Sequence, residues 1–71
     1  PLEAVSRRAT QESLIRAIRQ LRPEQQQVVI LRFVEGMGYP EVASILGKSE
    51  GAVRVIQHRA LLALRGILTG D

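Results

Sequence analysis

The stretch Glu41-Val-Ala-Ser-Ile-Leu-Gly-Lys-Ser-Glu-Gly-Ala-Val-Arg-Val-Ile56 constrains this chain more than any other part of it. Ala43 is small at a point where two helices of a tight corner must cross closely. Gly47 follows four residues later and supplies the left-handed backbone that ends one helix and turns the chain. Ser49 then offers a side-chain oxygen to the free N–H groups of the next helix. Val53 and Ile56 pin that helix against Val42 and Leu46. Together these residues predict a helix-turn-helix, a rigid corner that projects its second helix outward. A helical corner that touches no nucleic acid is the plain alternative for the same pattern.

The flanking sequence has helical periodicity throughout and no strand alternation. Residues 1–9 carry a Pro, mixed charge and little periodicity, and read as a linker or frayed segment leading into a domain at residues 10–71. Thr10 is the expected N-cap of a first helix, with Glu12 in its first turn and Leu14, Ala17, Ile18 and Leu21 as its apolar stripe. Pro23 stops that helix and suits the first turn of the next. The second helix should run to about Val34, with Val28, Val29, Leu31 and Phe33 inward. Gly36 and Gly38 mark a turn. A third helix is expected over Tyr39–Leu46, with Pro40 tolerated in its first turn. The fourth should open at Ser49 and bury Val53, Ile56, Ala60, Leu64 and Ile67, fraying at Thr69-Gly70-Asp71. The fold class is therefore all-α, a four-helix domain built around one small core.

Composition narrows the function classes. With 71 residues, 45% apolar and 3% aromatic, the chain can bury one aliphatic core but has no room for a cleft between lobes. It opens at Pro1 with no initiator Met, which reads as a piece of a longer protein. There is no Cys, so disulfides, thiolate metal sites and cysteine nucleophiles are excluded. No apolar run approaches the roughly 18 residues of a membrane span, and no signal-peptide pattern opens the chain. His58 stands without clustered carboxylates, and Glu3, Glu12, Glu24, Glu35, Glu41, Glu50 and Asp71 are scattered. Gly36-Met-Gly38 lacks the strand and the Lys/Ser context of a phosphate loop. No catalytic residue, metal site, cofactor or small-molecule ligand is expected.

The formal charge of +3 permits a polyanionic partner, and its distribution is more informative than its size. Lys48, Arg54, Arg59 and Arg65 lie in the last third of the chain, and Arg16, Arg19 and Arg22 form an upstream group. Solvated helix faces would explain such clusters equally well. The outward face of the fourth helix is expected to carry Glu50, Gly51, Ala52, Arg54, Val55, Gln57, His58 and Arg59. Arg54 and Arg59 can reach phosphates or guanine edges, Gln57 or His58 can hydrogen-bond, and the helix N-terminus at Ser49 can hold a phosphate.

Leu21-Arg-Pro-Glu-Gln-Gln-Gln-Val-Val-Ile-Leu-Arg-Phe-Val-Glu-Gly36, followed by Tyr39-Pro-Glu-Val-Ala43, Leu46-Gly47 and Gly51-Ala-Val-Arg54, resembles region 4 of bacterial sigma-70 factors, in particular the extracytoplasmic-function group. The resemblance runs from about Leu21 to Leu68. It implies a four-helix domain of the sigma region 4 type, winged-helix-like but without a wing, in an alternative sigma factor of the bacterial cytoplasm. It further implies recognition of double-stranded promoter DNA at the −35 element, docking on the β flap of RNA polymerase core, and capture by an anti-sigma factor. Carried onto this sequence, the DNA-facing residues are Ser49, Glu50, Ala52, Arg54, Val55, His58 and Arg59, joined by Tyr39 and Lys48, with Glu41 on the backbone-contact side. Polymerase or anti-sigma contacts would use apolar surface of the first two helices and of the last turns.

The chain departs from the family pattern in places. Gly38 stands where a capping Ser or Thr is usual, Ala52 replaces a frequent Thr, and Val55-Ile56-Gln57 replaces a frequent Ser-Arg-Leu. Ile56 reads as core; Val55 can touch a thymine methyl or simply be exposed. Two other readings compete: the DNA-binding domain of a LuxR-type response regulator, disfavoured by Leu31-Arg-Phe33 and by the missing Thr-x-x-x-His spacing, and a helical interaction module with no DNA contact.

Overall fold

In the computed structural model, residues 2–70 are described, with side chains from residue 11 onward. Pro1 of the expected linker and Asp71 of the expected frayed end lie outside the described residues. The chain forms helix α1 (Leu2–Arg19), α2 (Pro23–Val29) running on into a π-helical turn (Ile30–Val34), α3 (Tyr39–Leu46) and α4 (Glu50–Thr69). No strand occurs among the described residues.

The punctuation acts where local chemistry requires. Arg22 is extended, at φ −60° and ψ 149°, as the residue before a proline must be. Pro23 then opens α2, and the amide of Gln26 closes its first bond on the Arg22 carbonyl at 2.9 Å. Gly38 precedes α3 without any side-chain cap, as its lack of a side chain dictates. At the other end of α3, Gly47 sits at φ 64° and ψ 38°. Its amide donates to the Ser44 carbonyl at 3.4 Å, and the Lys48 amide donates to the Ala43 carbonyl at 2.9 Å. That pair of bonds is a Schellman closure, which satisfies the last carbonyls of the helix. Ser49 caps α4, its Oγ accepting from the Ala52 amide at 3.1 Å.

Gly47→Ala is expected to destabilise the domain by about 1 kcal/mol, because a β-carbon disfavours left-handed backbone. A Cβ built there meets no atom within 4 Å, so the cost is purely conformational. Thermal melts should show a drop of about 4–8 °C. An unchanged midpoint would mean that the corner does not need this backbone.

Two expectations about the helices are corrected. Thr10 is not an N-cap, because α1 runs back through it to Leu2. Leu, Glu, Ala and Arg, which make up much of that segment, all favour helix. The second helix does not stay α-helical to Val34. The amide of Glu35 bonds five residues back to the Ile30 carbonyl at 2.9 Å, and such wider turns advance less around the axis per residue. Leu31 still packs against the core, but the side chains at the end of the turn fall out of phase with the buried stripe. Phe33, expected inward, is 52% exposed. Leu14, expected on the inner stripe of α1, is also exposed.

The core is aliphatic and has two parts. Ala17, Leu21, Val29, Ala60 and Leu64 form one, with Ile18, Ala63 and Ile67 against it. Val28, Val42, Ala43 and Val53 form the other, with Leu31, Met37, Tyr39, Leu46 and Ile56 against it. The adjacent residues Val28 and Val29 thus face different halves, and α4 passes through both. Its early turns lock the corner with α3 while its later turns fasten α1. Among the described residues no polar side chain is buried, so the core holds by apolar burial alone.

Candidate nucleic-acid interface

The corner leaves one face of α4 uncovered near its N-terminus. Residues three and four apart are neighbours on a helix surface, so Glu50, Arg54 and His58 form one row and Gly51, Val55 and Arg59 the next. All six are exposed. Gly51 has no side chain, so the backbone lies open beside the N-terminal amides, which carry the positive end of the helix dipole. Ala52 is half-buried, and Ser49, though exposed, has its hydroxyl oxygen engaged in the cap.

Tyr39, at the start of α3, lies beside this face. The Arg32 guanidinium carbon sits 4.2 Å from the centre of its ring, and that of Arg54 sits 4.5 Å from the same centre. Each cation–π contact at an exposed site contributes about 0.5–1 kcal/mol. The Tyr39 hydroxyl accepts from Gln57 Nε2 at 3.1 Å, while Gln57 Oε1 accepts from Arg32 Nε at 3.0 Å. Arg32 Nη1 also donates to the Met37 carbonyl at 2.7 Å. The Gln57 hydrogen bond, helped by lesser effects of Arg32 and of the charge of Arg54, holds the Tyr39 hydroxyl below its ordinary pKa, against an opposing effect of desolvation that is second only to the Gln57 bond. Tyr39, Arg32, Gln57 and Arg54 therefore act as one polar group joining the π-turn, α3 and α4.

Most of the sequence-derived site residues come together here: Tyr39, Glu50, Arg54, Val55, His58 and Arg59 share or border one surface. Lys48 sits at the corner with its Nζ 2.6 Å from Glu24 Oε1, so its charge is partly neutralised by the first turn of α2. Gln57 was expected to face outward but is half-buried and turned toward Tyr39 and Arg32. Arg32 was not among the expected site residues at all. Its signal in the sequence is a single basic residue inside the apolar run Val28–Val34, a place where a charge needs a partner.

A second surface has the opposite character. Leu14, Ile18, Val29, Phe33, Val34, Leu61 and Leu64 line an open apolar groove of about 280 Å³ between α1, the π-turn and the later turns of α4. Among the described residues no three His, Cys, Asp or Glu side chains gather, and no helix is long and apolar enough to cross a membrane.

The sequence pattern of the family described as Sigma-70, region 4 matches residues 11–64. The chain is 38% identical over 71 residues to the ECF RNA polymerase sigma factor BldN of Streptomyces coelicolor, covering 100% of this chain and 27% of that protein. It is 40% identical over 63 residues to the RNA polymerase sigma-E factor of the same organism, covering 89% of this chain and 36% of that one. It is 47% identical over 50 residues to the ECF RNA polymerase sigma factor SigD of Mycobacterium tuberculosis, covering 68% of this chain and 24% of that one. The chain thus spans between about a quarter and two fifths of the length of the curated relatives it matches. Among solved structures, the 1.8 Å RsbN–BldN complex superposes with a TM-score of 0.78 at 41% identity, over 79% of this chain and 41% of that chain.

Proposed function

Because this chain belongs to region 4 of the sigma-70 family, within its extracytoplasmic-function group, we propose that it reads the −35 element of promoter DNA with the exposed face of α4. The observation that carries this reading is the placement of Arg54 beside Tyr39 on an otherwise uncovered helix start. A planar guanidinium on a projecting helix suits the O6/N7 edge of guanine or a phosphate. Ser49, Glu50, Ala52, Val55, His58, Arg59, Tyr39 and Lys48 complete the DNA-facing set, with the α4 N-terminus available to a phosphate. The role is one of binding in the bacterial cytoplasm, with no catalytic step of its own. Its functional unit is proposed as residues 10–71, with α1 continuing ahead of it from Leu2.

The apolar groove supports the second half of the reading. Phe33, Val34, Leu61 and Leu14 are large apolar side chains left open on one side of the domain, and contiguous patches of this kind mark protein interaction sites. RNA polymerase core, through its β flap, and an anti-sigma factor are the partners proposed for it. A relative solved in complex with a second protein, BldN with RsbN, favours this.

The test is titration of the chain with −35 duplexes over a series of salt concentrations. Specific binding should weaken as salt rises, with a slope of roughly 0.9 per phosphate contacted. Affinity indifferent to both salt and sequence would instead mark the chain as a helical interaction module.

A further inference from the structure

The amide of Gln57 has one possible orientation. Arg32 Nε–H can only donate, so the Gln57 oxygen must face it, at 3.0 Å, and the Gln57 nitrogen is left to donate to the Tyr39 hydroxyl at 3.1 Å. Arg32 is anchored in turn by its bond to the Met37 carbonyl at 2.7 Å. It is carried by the π-helical turn Ile30–Val34, a rare element that frequently occurs at functional sites. The chain of contacts thus starts outside the helix-turn-helix and ends at the ring against which Arg54 lies. An arginine free on a helix face spreads over many rotamers, and ordering it on binding costs affinity. One already resting on a fixed ring meets DNA preorganised.

We infer that Gln57, with Arg32 behind it, is a positioning residue that sets the Tyr39 ring as the rest on which Arg54 is ordered before it meets DNA. The inference rests on the reading of α4 as the promoter-facing helix. It assigns Gln57 no base contact of its own, although Gln57 lies one turn from Arg54. The specificity of Arg54 then depends on a residue of the π-turn, 25 positions before Gln57 in sequence.

The experiment uses the chain and a duplex that the unaltered chain selects from a randomised pool. Gln57→Ala should bind that duplex about three- to tenfold more weakly and lose preference at the same base position that Arg54→Ala affects. The double variant should bind no more weakly than Arg54→Ala alone, since Gln57 acts through Arg54. Additive losses would overturn the inference while leaving promoter reading intact. If the unaltered chain selects no duplex, promoter reading fails and the inference falls with it.

In the free chain, the Arg54 side-chain NMR signals should carry an upfield ring-current shift from Tyr39. That shift should be lost in Gln57→Ala and kept in Gln57→Glu, whose carboxylate can accept from both Arg32 and the Tyr39 hydroxyl. An Arg54 shift unchanged by Gln57→Ala overturns the inference without any DNA. Tyr39→Phe, which keeps the ring but drops the hydroxyl that Gln57 holds, should likewise lose the Arg54 ring-current shift in the free chain, where no DNA contact enters, and serves if Gln57→Ala does not fold; an unchanged shift overturns the inference.

Discussion

Val53→Asp is expected to leave the chain unfolded at room temperature and neutral pH. Val53 is fully buried at the centre of the corner, among Val28, Val42 and Ala43, and no polar side chain is buried among the described residues to receive a carboxylate. An unpaired buried charge costs several kcal/mol. A domain of 71 residues has roughly 4–11 kcal/mol of stability in total, and the lost valine packing adds to the deficit. Circular dichroism should show the helical signal and the cooperative melt both gone. The buried carboxyl would have a folded-state pKa raised above its unfolded value of about 4. Its destabilisation should therefore be smallest below that value and grow as pH rises through it. Val53→Ala provides the graded control, losing about 2 kcal/mol, or about 8–16 °C of melting temperature. A folded, cooperatively melting Val53→Asp at pH 7 would contradict the packing of α4 described above.

Arg54→Ala should produce the complementary result, a folded domain that holds its duplex more weakly. The side chain is exposed, and the contact it loses with Tyr39 is worth about 0.5–1 kcal/mol. A good arginine–base pair contributes about 1–3 kcal/mol of discrimination, or roughly 5- to 150-fold. Arg54→Lys separates the two ways in which the side chain can act. A phosphate contact needs charge alone, and lysine keeps it; a bidentate contact to guanine needs the planar fork, and lysine loses it. Flattening of the salt slope by about one unit in the alanine variant would identify phosphate. Relaxed base preference with the slope intact would identify base reading. Full affinity in Arg54→Ala would remove this side chain from the interface.

The corner was readable because its signals are local. Gly47 ends a helix and Ser49 caps the next one through backbone preferences that hold in any protein, and both act as expected. Of the stripe Val53, Ile56, Ala60, Leu64 and Ile67, which followed from helical period alone, Val53, Ala60 and Leu64 are buried and Ile56 and Ile67 half-buried against the core. Periodicity failed where the period itself changed. Nothing in Ile30-Leu-Arg-Phe-Val34 announces a π-turn, and the resulting change of phase put Phe33 on the surface. The lower stripe of α1 failed for a different reason. Leu14 has the right spacing, but the helices it would pack on leave a groove there instead of closing over it.

The same division runs through the site. Sequence by itself determined which helix projects, where it starts and that Glu50, Arg54, Val55, His58 and Arg59 point out, because those follow from neighbours three or four residues away. Tertiary structure alone decided the partnership of Arg32, Tyr39, Gln57 and Arg54. Hydrogen bonds between residues 25 and 18 positions apart depend on how α2, α3 and α4 pack. A polar side chain at the edge of a helix face can turn toward solvent or inward with equal local cost. Packing placed Gln57 between two partners it could satisfy at once, and turned a candidate DNA contact into the support beneath Arg54.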